Sequence, residues 1–138
     1  MPDCGVGSMS GAARKQHSGV VTVRILVVDD SAAFRGTVRE LLAARGLTLF
    51  AAVSDGRSAL DAVASGCPDG ALVDVNLPGL DGFAVAAALA ARCPGIRTVL
   101  ISSDVDSVVP AELAQCGALA FVPKTDLVNA DLGALLAG

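Results

Sequence analysis

The chain has 138 residues, 53% of them hydrophobic, and its formal net charge is −4. That length suits one domain with its own core, and the negative charge argues against the basic surface typical of nucleic-acid-binding proteins. The longest uncharged run, Leu113 to Pro123, is too short for a membrane-spanning helix, which needs about 20 apolar residues. The hydrophobic residues therefore predict a buried sheet. Because no apolar signal-peptide core is evident near the N-terminus, we expect a cytoplasmic protein.

Residues 1–22 are rich in Gly, Ser and Ala and lack hydrophobic periodicity, which predicts a disordered tail ahead of one domain at residues 23–138. In the domain, short apolar runs alternate with segments of helical spacing. The predicted strands are Arg24–Val28, Leu47–Val53, Ala71–Asp74, Arg97–Ile101 and Leu119–Val122. A helix follows each strand, and the helices end at Gly46, at Gly66, near Arg92, near Gly117 and, after a cap at Asn129, at the chain end. The fourth helix is short, because Pro110 fits a first helical position after a long loop from Ser103.

This alternation of strands and helices predicts an α/β fold, in which a five-stranded parallel sheet has helices on both faces. Right-handed crossovers favour the doubly wound strand order 2-1-3-4-5. In that order strands 1 and 3 are neighbours, and ligands bind at their carboxyl ends. In the first helix the residues at helical spacing, which we interpret as core residues, are Phe34, Val38, Leu41 and Leu42.

The cysteines carry no recognisable pattern. The four of them are Cys4, Cys67, Cys93 and Cys116. They form no C-x-x-C pair, and the single histidine, His17, is distant in sequence. We therefore expect neither a disulfide framework nor a zinc site, and interpret the cysteines as small semi-buried residues in a reducing cytoplasm.

Polar side chains stand where four of the predicted strands end. They are Asp29 and Asp30 after strand 1, Asp74 at strand 3, Ser102 at strand 4 and Lys124 after strand 5. Because parallel strands end at one edge of the sheet, we expect these groups to lie together. Three carboxylates so close repel one another unless a cation joins them. Oxygen ligands without His or Cys nearby favour Mg²⁺ as that cation.

The central carboxylate, Asp74, can act as a nucleophile and form an aspartyl phosphate. Mg²⁺ and Lys124 would neutralise the oxygens of the transferring phosphoryl group, and Ser102 would donate a hydrogen bond to one of them. Lys15 and Lys124 are the only lysines of the chain, and Lys15 falls in the predicted tail. A lysine at this edge of the sheet is therefore unusual among the cations of the domain.

Four segments together resemble the receiver domain of two-component response regulators, from about Arg24 to the C-terminus. The segments are ILVVDDS at 25–31, VDVNLPGLDG at 73–82, LISS at 100–103 and FVPK at 121–124. The resemblance implies a flavodoxin-like fold of the chemotaxis-receiver kind. It also implies that Asp74 is the phosphoacceptor and that Asp29 and Asp30 hold Mg²⁺, with the backbone carbonyl of Asn76 as a further ligand.

By the same resemblance, Ser102 corresponds to the switch hydroxyl, Lys124 to the active-site lysine and Phe121 to the aromatic residue that moves between exposed and inward positions. Two features depart from the family pattern. Pro123 precedes the lysine, whereas many receivers have a cis Lys-Pro bond after it; the order here is found in some receivers of the DNA-binding two-helix output class. The short fourth helix would alter the surface that receivers use for signalling.

The function implied is that of a stand-alone receiver, not an enzyme, which takes a phosphoryl group from a sensor histidine kinase. Phosphorylation would repack the face of helix 4, strand 5 and helix 5 for an unidentified downstream protein or for a homodimer. No direct contact with nucleic acid or a membrane is expected.

Other functions stay open. The chain could be a phosphate-independent interaction module, or the receiver fragment of a larger DNA-binding regulator. An aspartate-nucleophile phosphatase of the haloacid-dehalogenase type is disfavoured, because Asn76 stands where such enzymes carry an acidic general acid. Among single residues, Asp29 and Asp30 could be helix caps, Asp74 could form an Asx turn, and Lys124 could be a solvated charge. Ser103 could replace Ser102, and Phe121 could be a core residue.

Overall fold

The computed structural model describes residues 22–103 and 115–137. Its elements are β1 (Arg24–Val28), α1 (Ala32–Ala44), β2 (Thr48–Val53), α2 (Gly56–Ala62), β3 (Gly70–Asp74), α3 (Gly82–Arg92), β4 (Arg97–Ser102), β5 (Ala120–Pro123), a 3₁₀ segment (Lys124–Asn129) and a C-terminal helix (Leu132–Ala137). Each strand predicted from the sequence is present, with ends that differ by at most one residue. The predicted tail and most of the predicted fourth helix lie outside the described residues.

The strands form one parallel sheet in the order β2-β1-β3-β4-β5, which confirms the predicted doubly wound fold. Successive residues of a strand point to opposite faces, so β1 sends Leu26 and Val28 into one core and Ile25 and Val27 into the other. The first core lies under α2 and α3, and the second under α1 and the C-terminal helix. Among the described residues no helix has the length and apolar character needed to cross a membrane.

The C-terminal helix begins later than predicted. Asn129 ends the 3₁₀ segment and does not cap a helix. Asp131 takes that role, because its Oδ1 accepts a hydrogen bond from the Ala134 N–H at 3.1 Å. The prediction was wrong because Lys124–Asn129 form 3₁₀ turns, which the sequence pattern does not indicate. These turns place Asn129 before the helix, and the helix therefore begins after Asp131.

The interpretation of the cysteines as unpaired residues is wrong for two of them. Cys67, on the loop after α2, forms a disulfide with Cys93, which follows α3, and their Cα atoms are 5.7 Å apart. Both stand at the end of the sheet where the strands begin, because α3 runs back antiparallel to the strands. The pairing depends on that return of the chain, which the spacing of cysteines in sequence does not show.

Candidate functional site

Asp29 is wholly buried where β1 ends. Its Oδ1 accepts a hydrogen bond from the Ser31 N–H at 2.9 Å, and its backbone carbonyl accepts one from Arg35 at 2.7 Å. Its Oδ2 accepts no hydrogen bond of good geometry, and its contact is an ion pair with Lys124 Nζ at 2.7 Å. A buried carboxylate oxygen without hydrogen bonds is costly unless a cation compensates it.

Asp74 is nearly as buried, at the end of β3 beside Asp29. Its Oδ1 accepts a hydrogen bond from the Asn76 N–H at 3.0 Å, and its Oδ2 accepts one from Lys124 Nζ at 3.2 Å. The start of α3 is held against this strand end, where the Gly82 N–H donates to the Val75 carbonyl at 2.9 Å. A Cβ at Gly82 would collide with the Asp74 carbonyl oxygen and lie 2.6 Å from Val75 Cα, so glycine is required there.

The three predicted carboxylates form one cluster. One oxygen from each of Asp29, Asp30 and Asp74 lies within 4.8 Å of the others, and Asp30 is exposed where the other two are buried. The donor set consists of carboxylate oxygens, which Mg²⁺ prefers, and two of the three carboxylates are buried, where their negative charge needs a cation. The residues therefore fit such an ion, which these three would hold. Asn76 lies next to the cluster, but its carbonyl as a fourth ligand stays a prediction.

Lys124, the first residue of the 3₁₀ segment, joins the two buried carboxylates, because its Nζ contacts both Asp29 Oδ2 and Asp74 Oδ2. Burial alone would lower the pKa of Lys124, but the close contacts with Asp29 and Asp74 and the charges of these carboxylates outweigh burial and raise it above its usual value. Lys124 is therefore a fixed positive charge beside the proposed nucleophile.

The same ammonium lies over the ring of Phe34, with Nζ 4.4 Å from the ring centroid. Sequence reasoning missed this contact and interpreted Phe34 as a core residue of the first helix. Phe34 does pack against the second core, and it is only half-buried. The sequence predicts that Phe34 lies in the first turn of the first helix. Nothing in the sequence indicates that the Lys124 side chain reaches the Phe34 ring.

Ser102 is buried where β4 ends, and its Oγ accepts a hydrogen bond from Asn76 Nδ2 at 3.3 Å. Ser103, the alternative candidate, is exposed. Sheet register pairs Ser102 with Pro123, which brings the hydroxyl-bearing residue beside the strand that delivers Lys124. Phe121 is half-buried against the first core, so its interpretation as a core residue agrees with its surroundings and its motion stays a prediction.

A family model described as the response regulator receiver domain matches residues 25–131. The chain belongs to this family. Receiver relatives include the Myxococcus xanthus protein-glutamate methylesterase/protein-glutamine glutaminase 5, 40% identical over 76% of this chain and 31% of that protein. They also include the probable transcriptional regulatory protein NarL of Mycobacterium tuberculosis, 36% identical over 80% of this chain and 53% of that protein. This receiver therefore spans at most about half the length of these two relatives.

Solved structures agree with the fold. The signal receiver domain of the putative response regulator NarL from Mycobacterium tuberculosis has a TM-score of 0.67 at 34% identity, covering 83% of this chain and 96% of that one. A response regulator from Burkholderia pseudomallei has a TM-score of 0.73 at 25% identity, covering 82% of this chain and 66% of that one. That second protein was solved with a phosphorylated aspartic acid, a calcium ion and citrate.

Proposed function

We propose that this receiver takes a phosphoryl group from a histidine kinase onto Asp74 in a Mg²⁺-dependent reaction. The observation that carries the proposal is the position of Lys124, whose ammonium contacts Asp29 and Asp74 at the end of the sheet. A buried carboxylate beside a fixed cation and a cluster of oxygen ligands is suited to accept a group that brings negative charge.

In the proposed step an oxygen of Asp74 attacks phosphorus, and the bond from phosphorus to the imidazole nitrogen of the donor histidine breaks. The electron pair of that bond stays on the leaving nitrogen, and the new carboxyl–phosphoryl bond is an acyl phosphate. When bound, Mg²⁺ would supply positive charge that draws the phosphoryl oxygens and the carboxylates together. Lys124 would turn from the Asp74 carboxylate to the transferred phosphoryl oxygens.

The response to phosphorylation is proposed to pass through Ser102 and Phe121. Ser102 Oγ accepts a hydrogen bond from the side chain of Asn76, two residues after the acceptor, and its O–H would donate to a phosphoryl oxygen on Asp74. The backbone of β4 pairs Leu100 with Phe121, so a shift at Ser102 has a direct route to that aromatic ring. A repacked face formed by the predicted fourth helix, β5 and the C-terminal helix would bind a downstream protein or a second copy.

We propose that this receiver acts in the cytoplasm, without direct contact to nucleic acid. A relative named as a transcriptional regulatory protein favours a second candidate, in which this receiver controls a DNA-binding region of a longer protein. The Cys67–Cys93 disulfide is unusual for a cytoplasmic protein and is the observation that stands against that location.

The test is intact-mass spectrometry after incubation with Mg²⁺ and acetyl phosphate, which transfers its phosphoryl group and leaves acetate. We expect one phosphoryl adduct that requires Mg²⁺ and is absent from Asp74→Asn. Asp81→Asn is the matched control, because Asp81 caps α3 through the Ala84 N–H and asparagine caps equally well. No adduct on the folded native chain would favour the phosphate-independent module. An adduct that persists in Asp74→Asn would show that another residue is the acceptor.

A further inference from the structure

We propose that Phe34 is a positioning residue for Lys124, whose ammonium it holds over its ring so that the same cation faces Asp29 and Asp74. This inference rests on the proposed phosphoacceptor function of Asp74. It gives the first turn of α1 a part in the phosphorylation reaction. The sequence pattern of that turn is typical of a core-facing helix and does not indicate such a part.

The geometry of the ammonium supports the assignment. Lys124 Nζ lies 4.4 Å from the Phe34 ring centroid, within the range at which the electron-rich face of an aromatic ring attracts a cation. The same atom is 2.7 Å from Asp29 Oδ2 and 3.2 Å from Asp74 Oδ2. The Lys124 side chain is 16% exposed, so water covers little of it and the ring replaces part of its hydration.

A lysine needs such a contact more than an arginine would. Its ammonium is a point charge on a flexible four-carbon stem, which gives it no preferred direction of its own. Two carboxylates attract it, but either one alone could capture it, and Asp29 is already the nearer. The Phe34 ring adds a third contact that restricts the ammonium to the position between the carboxylates.

Phe34 is itself held by the groups that organise Asp29. Its backbone N–H donates to Ser31 Oγ at 3.2 Å, and the Ser31 N–H donates to Asp29 Oδ1 at 2.9 Å. The next residue, Arg35, donates to the Asp29 backbone carbonyl at 2.7 Å. The first turn of α1 therefore fixes the metal-binding carboxylate and the ring over Lys124 as one unit.

The experiment compares the rate of phosphorylation by acetyl phosphate in Phe34→Leu, Phe34→Tyr and the native chain, at saturating Mg²⁺. Leucine keeps apolar volume but has no ring face, so we expect a rate about threefold to tenfold lower. Tyrosine keeps the ring face and should restore at least half of the native rate. A leucine variant that phosphorylates at the native rate would overturn the inference.

Phe50→Leu is the matched control. Phe50 is also half-buried and also lies under a cation, Arg24, whose Cζ is 5.1 Å from its centroid, but at the opposite end of the sheet. Its loss should cost a similar amount of packing and leave the phosphorylation rate within about twofold of native, since that site is remote from the reacting groups. If both leucine variants slow the reaction equally, the ring of Phe34 acts through stability alone and the inference fails.

A double-mutant cycle separates positioning from a local structural effect. Because Phe34 acts through Lys124, Phe34→Leu should have no further effect on the rate in a Lys124→Met background. Equal losses in the native and Lys124→Met backgrounds would overturn the inference while leaving the proposed function intact. If the native chain takes up no phosphoryl group, the proposed function fails, and this inference fails with it.

Discussion

The two ends of the parallel sheet contain similar groups, but the hydrogen bonds and ion pairs of these groups differ. At the amino end, Arg24 lies over Phe50, its backbone N–H donates to Asp69 Oδ2 at 2.8 Å and its guanidinium donates to the Cys67 carbonyl at 2.9 Å. At the carboxyl end, Lys124 lies over Phe34. Each end thus combines a cation, an aromatic ring and an acidic partner.

The difference lies in the carboxylates. Asp69 is exposed, and its backbone N–H donates to the Arg24 carbonyl at 2.8 Å. Arg24 and Asp69 thus exchange two hydrogen bonds with each other. Asp29 is buried, and its Oδ2 has an ion pair but no hydrogen bond. An exposed carboxylate hydrogen-bonded to the backbone is typical of a structural region, whereas buried carboxylates clustered around one cation are typical of a functional site. The comparison favours the carboxyl end as the region where we propose that an ion and a phosphoryl group bind.

The largest expected effect is a change in the phosphorylation rate that distinguishes Lys124 from Arg24. Lys124→Met should lower the rate of phosphorylation by acetyl phosphate about 100-fold, because it removes a preorganised charge beside the nucleophile. Arg24→Met, which removes the corresponding cation at the amino end, should leave that rate within about twofold of native. Intact-mass time courses measure both rates. Comparable losses in the two variants would erase the functional distinction between the ends.

The disulfide lies at the amino end of the sheet, so its reduction should lower the free energy of unfolding without affecting the phosphorylation reaction. Cys67 and Cys93 are 26 residues apart in sequence, and reducing a disulfide across such a loop should lower the free energy of unfolding by about 3 kcal/mol. Urea unfolding with and without a reductant measures the change, and a Cys67→Ser/Cys93→Ser variant should not respond to the reductant. Thiol titration that shows Cys67 and Cys93 as free thiols in the non-reduced protein would contradict the prediction.

Magnesium should stabilise only through the carboxyl end. At a concentration tenfold above its dissociation constant, Mg²⁺ should raise the free energy of unfolding by about 1.4 kcal/mol, because it binds the folded state. Asp30→Asn should reduce this gain by weakening the acidic cluster, whereas Asp69→Asn at the amino end should leave it unchanged. Urea unfolding across a Mg²⁺ titration tests both variants. A gain that depends on Asp69 would place the ion elsewhere.

The smallest expected effect concerns Asp55, a carboxylate at the carboxyl end that is satisfied within its own helix. Hydrogen bonds from the backbone and side chain of Ser58 hold the pKa of Asp55 below its usual value. Its stabilising contribution is therefore present above the unfolded pKa of 3.8 and lost as the pH falls through the lower folded pKa.

Asp55→Asn should leave stability near neutral pH almost unchanged, since asparagine also caps helices, and should remove this part of the acid-induced loss. Urea unfolding between about pH 2 and pH 7 measures the difference from native. An Asp55→Asn variant with the native dependence on acid would show that the local hydrogen bonds do not lower the pKa of Asp55.

Much of the fold could be predicted from sequence because its determinants are local. The run Arg24–Val28 is apolar enough to be buried on both faces, and its partners β2 and β3 follow from alternation with helices and from the handedness of crossovers. The same reasoning brought Asp29, Asp74 and Lys124 to one edge, since parallel strands end together. The structure confirms that they meet there.

Only the tertiary structure shows which side chains that are distant in sequence contact one another. The sequence placed Lys124 at the correct edge, but its simultaneous contact with Asp29, Asp74 and the Phe34 ring depends on how the 3₁₀ turn directs a flexible side chain. The pairing of Cys67 with Cys93 likewise depends on where α3 returns. Hydrophobic periodicity reports which face of an element is buried, and it carries no information about which residue of another element lies opposite.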